Sequence, residues 1–169
     1  MPNQISDSDF HAVLDGEDEL GSVIRVHLHI EHYVEQLIGL LAVEPARAIS
    51  MKLDYSQKLD LLVLLGVNHQ VKPMLLQLGV IRNKFAHNLG YKLSHDIVDA
   101  LYNKLPPPQK QLIHSCYKKA AAKIESTTDS CYKTLSPKAK FTLIAIVIRR
   151  HLITLLEKLD GQFVVEPIV

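Results

Sequence analysis

The ten residues "GVIRNKFAHN", 79–88, decide how this chain is read. At 100° per residue, Leu78, Ile81, Phe85 and Leu89 recur at spacings of three and four and form one apolar stripe of a helix. Asn83 lies about 200° around from Ile81, and His87 about 240°, so the two share a face opposite that stripe. Arg82 projects about 100° from Asn83, beside that face, and its flexible stem can bend toward His87. A core helix needs none of these three groups, and a solvated face is more usually built from Lys and Glu. The spacing therefore predicts a helix from about 71 to near Gly90 that gathers a guanidinium, an amide and an imidazole away from the core.

The same periodicity runs through nearly the whole chain, and strand signals are scarce. A short opening turn is expected over 7–14, closed by Gly16, and a long helix over 18–43, stopped near Pro45. A shorter segment at 46–52 follows, and Asp54 caps "YSQKLDLLVLLG", which ends at Gly66. Ser94 is a good cap for "HDIVDALYNKL", with Asp96 early and Lys104 late, as a helix dipole favours. "PPP" at 106–108 opens a helix to about 125, "ESTTDS" reads as a loop, and Ser136-Pro137 opens a last helix to about 159, closed by Gly161. Residues 143–148 are apolar on all sides, so that helix is expected at the centre. The tail "QFVVEPIV" reads as an extended or loose segment. The fold class is all-α: one helical-bundle domain spanning 1–169, without internal repeats.

Bulk properties agree with one soluble domain. The chain of 169 residues is 47% hydrophobic and 22% charged, enough apolar content to fill a core without cross-links. No basic stretch followed by an apolar one opens the chain, and the longest strongly apolar run, "FTLIAIVI", is far short of the roughly 20 residues of a membrane span. Cys116 and Cys131 have neither zinc-type nor disulfide-framework spacing. A cytoplasmic protein with reduced thiols and no membrane partner is the expectation. Charge is uneven: residues 1–80 carry 5 Lys/Arg against 11 Asp/Glu, and the remainder 14 against 7, for a net +1 overall. Such polarity suits a phosphate backbone, head-to-tail association, or simply solvated faces.

The helix at 18–43 holds a second anomaly. Leu20, Val23, Ile24, Ile30, Val34, Leu37, Ile38 and Leu41 form its apolar stripe, and His27 and Glu31 fall in the middle of it at i, i+4. A carboxylate there needs a partner. His27 is available within the helix; Arg82, Asn83 or Lys58 would serve from another.

"RNKFAH", residues 82–87, fits the Arg-x4-His motif of the HEPN superfamily, whose variants often place Asn after the Arg. "VHLHIEHYVEQLI" at 26–38 and "YSQKLDLLVLLGV" at 55–67 resemble two further segments of one branch, similar to the mannitol-operon repressor family. There, a helix with a His-Leu-x-Ile-Glu run and a Lys-Leu helix precede the Arg-Asn helix. The resemblance covers roughly residues 18–90. It implies a compact helical bundle, commonly a homodimer, with the motif helix near the shared cleft. Several members are metal-independent endoribonucleases of toxin or defence type, and others keep the fold as a binding or regulatory module. The resemblance thus implies RNA as a substrate, a protein partner such as an antitoxin, and no metal or cofactor. No helix-turn-helix signature for reading a major groove accompanies the repressor likeness.

On the nuclease reading, Arg82, Asn83 and His87 are the catalytic candidates, supported by Glu31 and His27. Cleavage through a ribose 2′-hydroxyl needs a proton acceptor, a proton donor and a cation on the phosphate. Imidazole exchanges protons near neutrality, and guanidinium forks onto two phosphate oxygens. A single His does not readily serve as both acid and base, which favours two motifs across a dimer cleft. The structural alternative pairs Arg82 with Glu31 to lock two helices and bonds His87 to a carbonyl. Two weaker constellations remain. His29, His32 and Glu35 read as a solvated face rather than a metal patch, and Arg149, Arg150 and His151 as a dimer contact or solvated face rather than a phosphate contact.

Overall fold

Capping side chains and prolines set the helix starts. A computed structural model of the chain describes residues 5–123 and 132–162. Ser6 Oγ accepts from the Asp9 amide at the head of α1, Asp7–Gly16. Asp18 does the same for the Gly21 amide at α2, Glu19–Leu41. Asp54 and Gln57 close a reciprocal capping box at α4, Tyr55–Leu64, after the short α3, Pro45–Ser50. Pro73 sits in the first turn of α5, Lys72–His87. Ser94 caps α6, His95–Asn103. Prolines open α7, Pro107–Lys123, and α8, Pro137–Gln162.

These starts match the spacing of the sequence. Three ends differ. α5 stops at His87, where Asn88 turns extended at φ −143° and ψ 101°, so Leu89 stands 99% exposed instead of extending the apolar stripe. α8 runs through Gly161 to Gln162, and Gly161 lacks the positive φ that Gly66 takes at 102° after α4. Two 3₁₀ turns, His69–Val71 and Tyr132–Thr134, precede α5 and α8. The expected loop at 125–130, Cys131 and the tail beyond Gln162 lie outside the described residues; Cys116 is exposed.

The described residues form an all-helical bundle around α2 and α8. α2 packs along α8 and also meets α1, α3, α4 and α5; α8 additionally touches α6 and α7. Val23, Val26, Ile30, Val34 and Leu37 of α2 face Phe141, Ile144, Ala145, Ile148 and Leu152 of α8 in a common buried core. Leu75, Leu78, Ile81 and Phe85 join it from α5, so the remaining face of that helix is turned outward. No helix among the described residues is long and apolar enough to cross a membrane.

Arg149 departs from the solvated or interfacial role read from the sequence. It is 1% exposed, bonds the Asp7 carboxylate and the Ile5 carbonyl, and lies over the rings of Phe10 at 5.0 Å and Tyr33 at 5.8 Å. Helix phase turns it into the core, and α1 supplies the charge that makes this tolerable. Arg150 reaches the same Asp7 from outside at 2.8 Å. His29, His32 and Glu35 disperse as well: His29 meets the Phe10 ring, His32 bonds Gln36 at 2.9 Å, and Glu35 accepts from Lys58.

Candidate functional site on helix α5

Close approach of α4 to α5 builds the site. The Tyr55 hydroxyl at the start of α4 donates to the Leu75 carbonyl at 3.1 Å, laying the ring across α5 at Gly79. A Cβ at position 79 would stand 2.9 Å from the Tyr55 ring, so only glycine admits this contact as built. The other face of the Tyr55 region receives His27 of α2, with ring centroids 4.4 Å apart. Beside these lies an open cleft of about 490 Å³, lined by His27, Asp54, Tyr55, Gly79, Arg82 and Asn83 among others.

Arg82 is half-buried at this cleft, and its Nη1 donates to Asn83 Oδ1 at 2.9 Å. The guanidinium therefore turns to its neighbour rather than toward His87. His87, the last residue of α5, is exposed, makes no hydrogen bond or ion pair with the described residues, and stands outside the cleft lining. Arg82 and Asn83 come together with His27; His87 occupies the same outward side of the helix, one turn onward.

Glu31 finds its partner in Lys58. The lysine Nζ donates to Glu31 Oε1 at 2.7 Å and to Glu35 Oε1 at 2.6 Å, bridging α4 to two turns of α2. His27 Nδ1 lies 3.6 Å from Glu31 Oε2, too long for a hydrogen bond. Among the described residues Arg82 makes no ion pair, so the structural alternative of an Arg82–Glu31 lock is not what holds these helices. Lys58 does that.

His27 is 3% exposed, and its Nε2 has no hydrogen-bond partner among the described residues. Burial lowers its pKa first, Arg82 and Lys58 lower it further, and Glu31 opposes them without prevailing. The ring is thus held neutral in the wall of an Arg82 cleft. Burial, followed by the Glu31 charge, raises the Tyr55 pKa, so its hydroxyl keeps its proton.

Tyr55 and Gly79 were not among the residues the sequence singled out. The available signal was a glycine amid the apolar run "LLQLGVI", which marks close backbone approach on a helix. The identity of the approaching ring was not encoded locally. Comparison with models of protein families, with curated proteins and with solved structures found no match.

Proposed function

We propose that this chain is a homodimeric, metal-independent endoribonuclease of HEPN type, acting in a toxin or defence role. The observation that carries the reading is Arg82: a half-buried guanidinium beside an open cleft, with no ion pair among the described residues. Such a group binds an anion, and a phosphodiester offers the two oxygens that its fork fits. Asn83, already bonded to Arg82, fixes the fork and presents its amide N–H groups at the same mouth. His87, whose side chain has no partner among the described residues, supplies an imidazole that can exchange protons.

In the proposed reaction the ribose 2′-oxygen attacks the adjacent phosphorus as its proton passes to one imidazole. The bond from phosphorus to the 5′-oxygen breaks, and a second imidazole protonates that leaving oxygen. The products are a 2′,3′-cyclic phosphate and a 5′-hydroxyl. Two imidazoles are needed, and a second chain brings its own His87 to the shared cleft. The scheme routes no step through a metal.

Incubating the purified chain with single-stranded RNA in the presence of a chelator tests this. Cleavage with 2′,3′-cyclic phosphate ends is expected, falling by about 10²–10⁴ in His87→Ala, the range a positioned proton-transfer group contributes. Light scattering is expected to give the mass of two chains. Intact RNA, or a His87→Ala variant as active as the parent, removes the enzymatic reading.

One observation favours a second reading. Within a single chain His87 lies outside the Arg82–Asn83 cleft, which leaves an anion-holding surface without that exposed imidazole in it. A non-catalytic regulatory module, similar to the mannitol-operon repressor family and working through a protein partner, needs no more than that. A stable complex recovered from cells together with unchanged RNA decides for it.

A further inference from the structure

A second cleft, independent of α5, lies between α6, α7, α8 and the turn that precedes α8. Its volume is about 640 Å³, and its lining is rich in ionisable groups: His95, Asp99, Tyr102, His114, Tyr132 and Lys140. This is an unusual concentration of chemistry for a wall that the fold does not need to make polar.

Two of these side chains are buried with donors to spare. Lys140 is 5% exposed, yet among the described residues its ammonium makes one hydrogen bond, to His95 Nδ1 at 3.3 Å. Asp99 stands 3.7 Å away, near enough to balance charge but too far for a hydrogen bond, and it is itself more than half exposed at the rim. Three N–H donors therefore share one acceptor. Tyr132 is 8% exposed, and its hydroxyl has no hydrogen-bond partner among the described residues. Burial, then Tyr102 and Asp99, raise its pKa, so the phenol keeps its proton and remains a donor. The Lys140 ammonium lies 5.5 Å from the centre of the Tyr132 ring, which places both donors in one neighbourhood.

The imidazoles add to this donor excess. Because Lys140 donates to His95 Nδ1, the neutral His95 ring carries its proton on Nε2. His114 Nε2 is bonded to the Tyr102 hydroxyl at 2.9 Å, leaving its other nitrogen available. Lys110 lies 5.3 Å from the Tyr102 ring centre and adds a second cation at this side. Buried donors left unsatisfied cost free energy, and an acceptor-rich anion removes that cost.

We propose that this cleft binds the phosphate group of a small phosphomonoester, with Lys140 and Tyr132 as the principal donors. A phosphate presents several oxygens at once, matching the number of spare donors, where a single carbonyl does not. A cleft of about 640 Å³ accommodates a small molecule. The site stands apart from the α5 reading and holds whether or not that reading does.

Isothermal titration of the full chain with inorganic phosphate and with phenyl phosphate, at matched ionic strength, tests it. Saturable one-site binding of phenyl phosphate is expected at about 1 mM or tighter, the affinity two or three charge-assisted hydrogen bonds support. Tyr132→Phe keeps the ring and removes only the hydroxyl; it is expected to weaken binding about tenfold at an unchanged melting temperature. Lys140→Met is expected to weaken it further. Failure of both probes to bind overturns the proposal, as does parent-like affinity in Tyr132→Phe. Should Lys140→Met not fold, the tyrosine variant alone decides.

Discussion

Lys58 of α4 holds Glu31 of α2 at 2.7 Å, and by doing so leaves Arg82 of α5 without a carboxylate. The sequence offered Glu31 three interhelical partners, and the geometry selects the one that keeps the guanidinium at the cleft uncommitted. Lys58→Met is expected to destabilise the fold by about 1–3 kcal/mol, since a half-buried carboxylate then loses its cation. Adding Glu31→Gln is expected to recover part of that loss. Urea denaturation of both singles and the double gives the coupling; additive losses would show that the bridge contributes nothing. Burial pulls the Lys58 pKa down, but its hydrogen bonds to Glu31 and Glu35 outweigh that and raise it above its ordinary value. Its contribution is therefore complete at neutral pH and fades only as pH climbs through the raised value.

Arg149 makes the second prediction. A guanidinium 1% exposed between α1 and α2 depends on Asp7 for its charge balance. Asp7→Ala is expected to cost about 3 kcal/mol, because it strands that charge. Arg149→Leu is expected to cost less, as it removes the need for a partner along with the charge. The comparison is read from urea midpoints. An Asp7→Ala midpoint equal to that of the parent contradicts the tether.

Helix positions were legible where caps and prolines state them locally: Asp54 and Ser94 each cap the helix they precede. The pairing of His27 with Glu31 inside an apolar stripe was legible for the same reason, since i, i+4 geometry is internal to one helix. What one helix cannot state is which neighbour arrives. The sequence left Lys58 as one of several partners for Glu31, gave no sign of Tyr55 wedged at Gly79, and placed Arg149 at the surface. Each of these is a contact between segments far apart in the chain, and periodicity carries the direction of a side chain but not the identity of what it meets. Leu89 shows the converse: it has the right phase, but the helix ends two residues earlier.

The Gly79 contact yields a third test. Alanine there gains up to about 1 kcal/mol of helix propensity but drives a methyl into the Tyr55 ring, an overpacking cost of about 1–3 kcal/mol. The ring cannot swing aside without breaking its bond to the Leu75 carbonyl. Net destabilisation is expected, and the double change Gly79→Ala with Tyr55→Leu is expected to be milder than the two losses added. If Gly79→Ala alone raises the melting temperature, the ring is not held as described.

Three histidines, His27, His29 and His151, have pKa values lowered in the folded chain, in each case by burial first and neighbouring cations second. Unfolding restores each to about 6.5, the ordinary value. Between the lowered and ordinary values the unfolded chain binds more protons, so stability rises with pH there and is complete above about 6.5. It is lost as pH falls through that window. Urea midpoints are expected to drop from pH 7.5 to pH 5.5 by more than surface carboxylates alone would cause. His27→Gln is expected to flatten part of that slope, because a glutamine in the same wall has no proton to take up on unfolding. A nuclear magnetic resonance titration of the parent should show the His27 ring titrating below the ordinary histidine value. A His27 signal that titrates at or above 6.5 would mean that burial and the Arg82 charge do not govern this wall of the cleft.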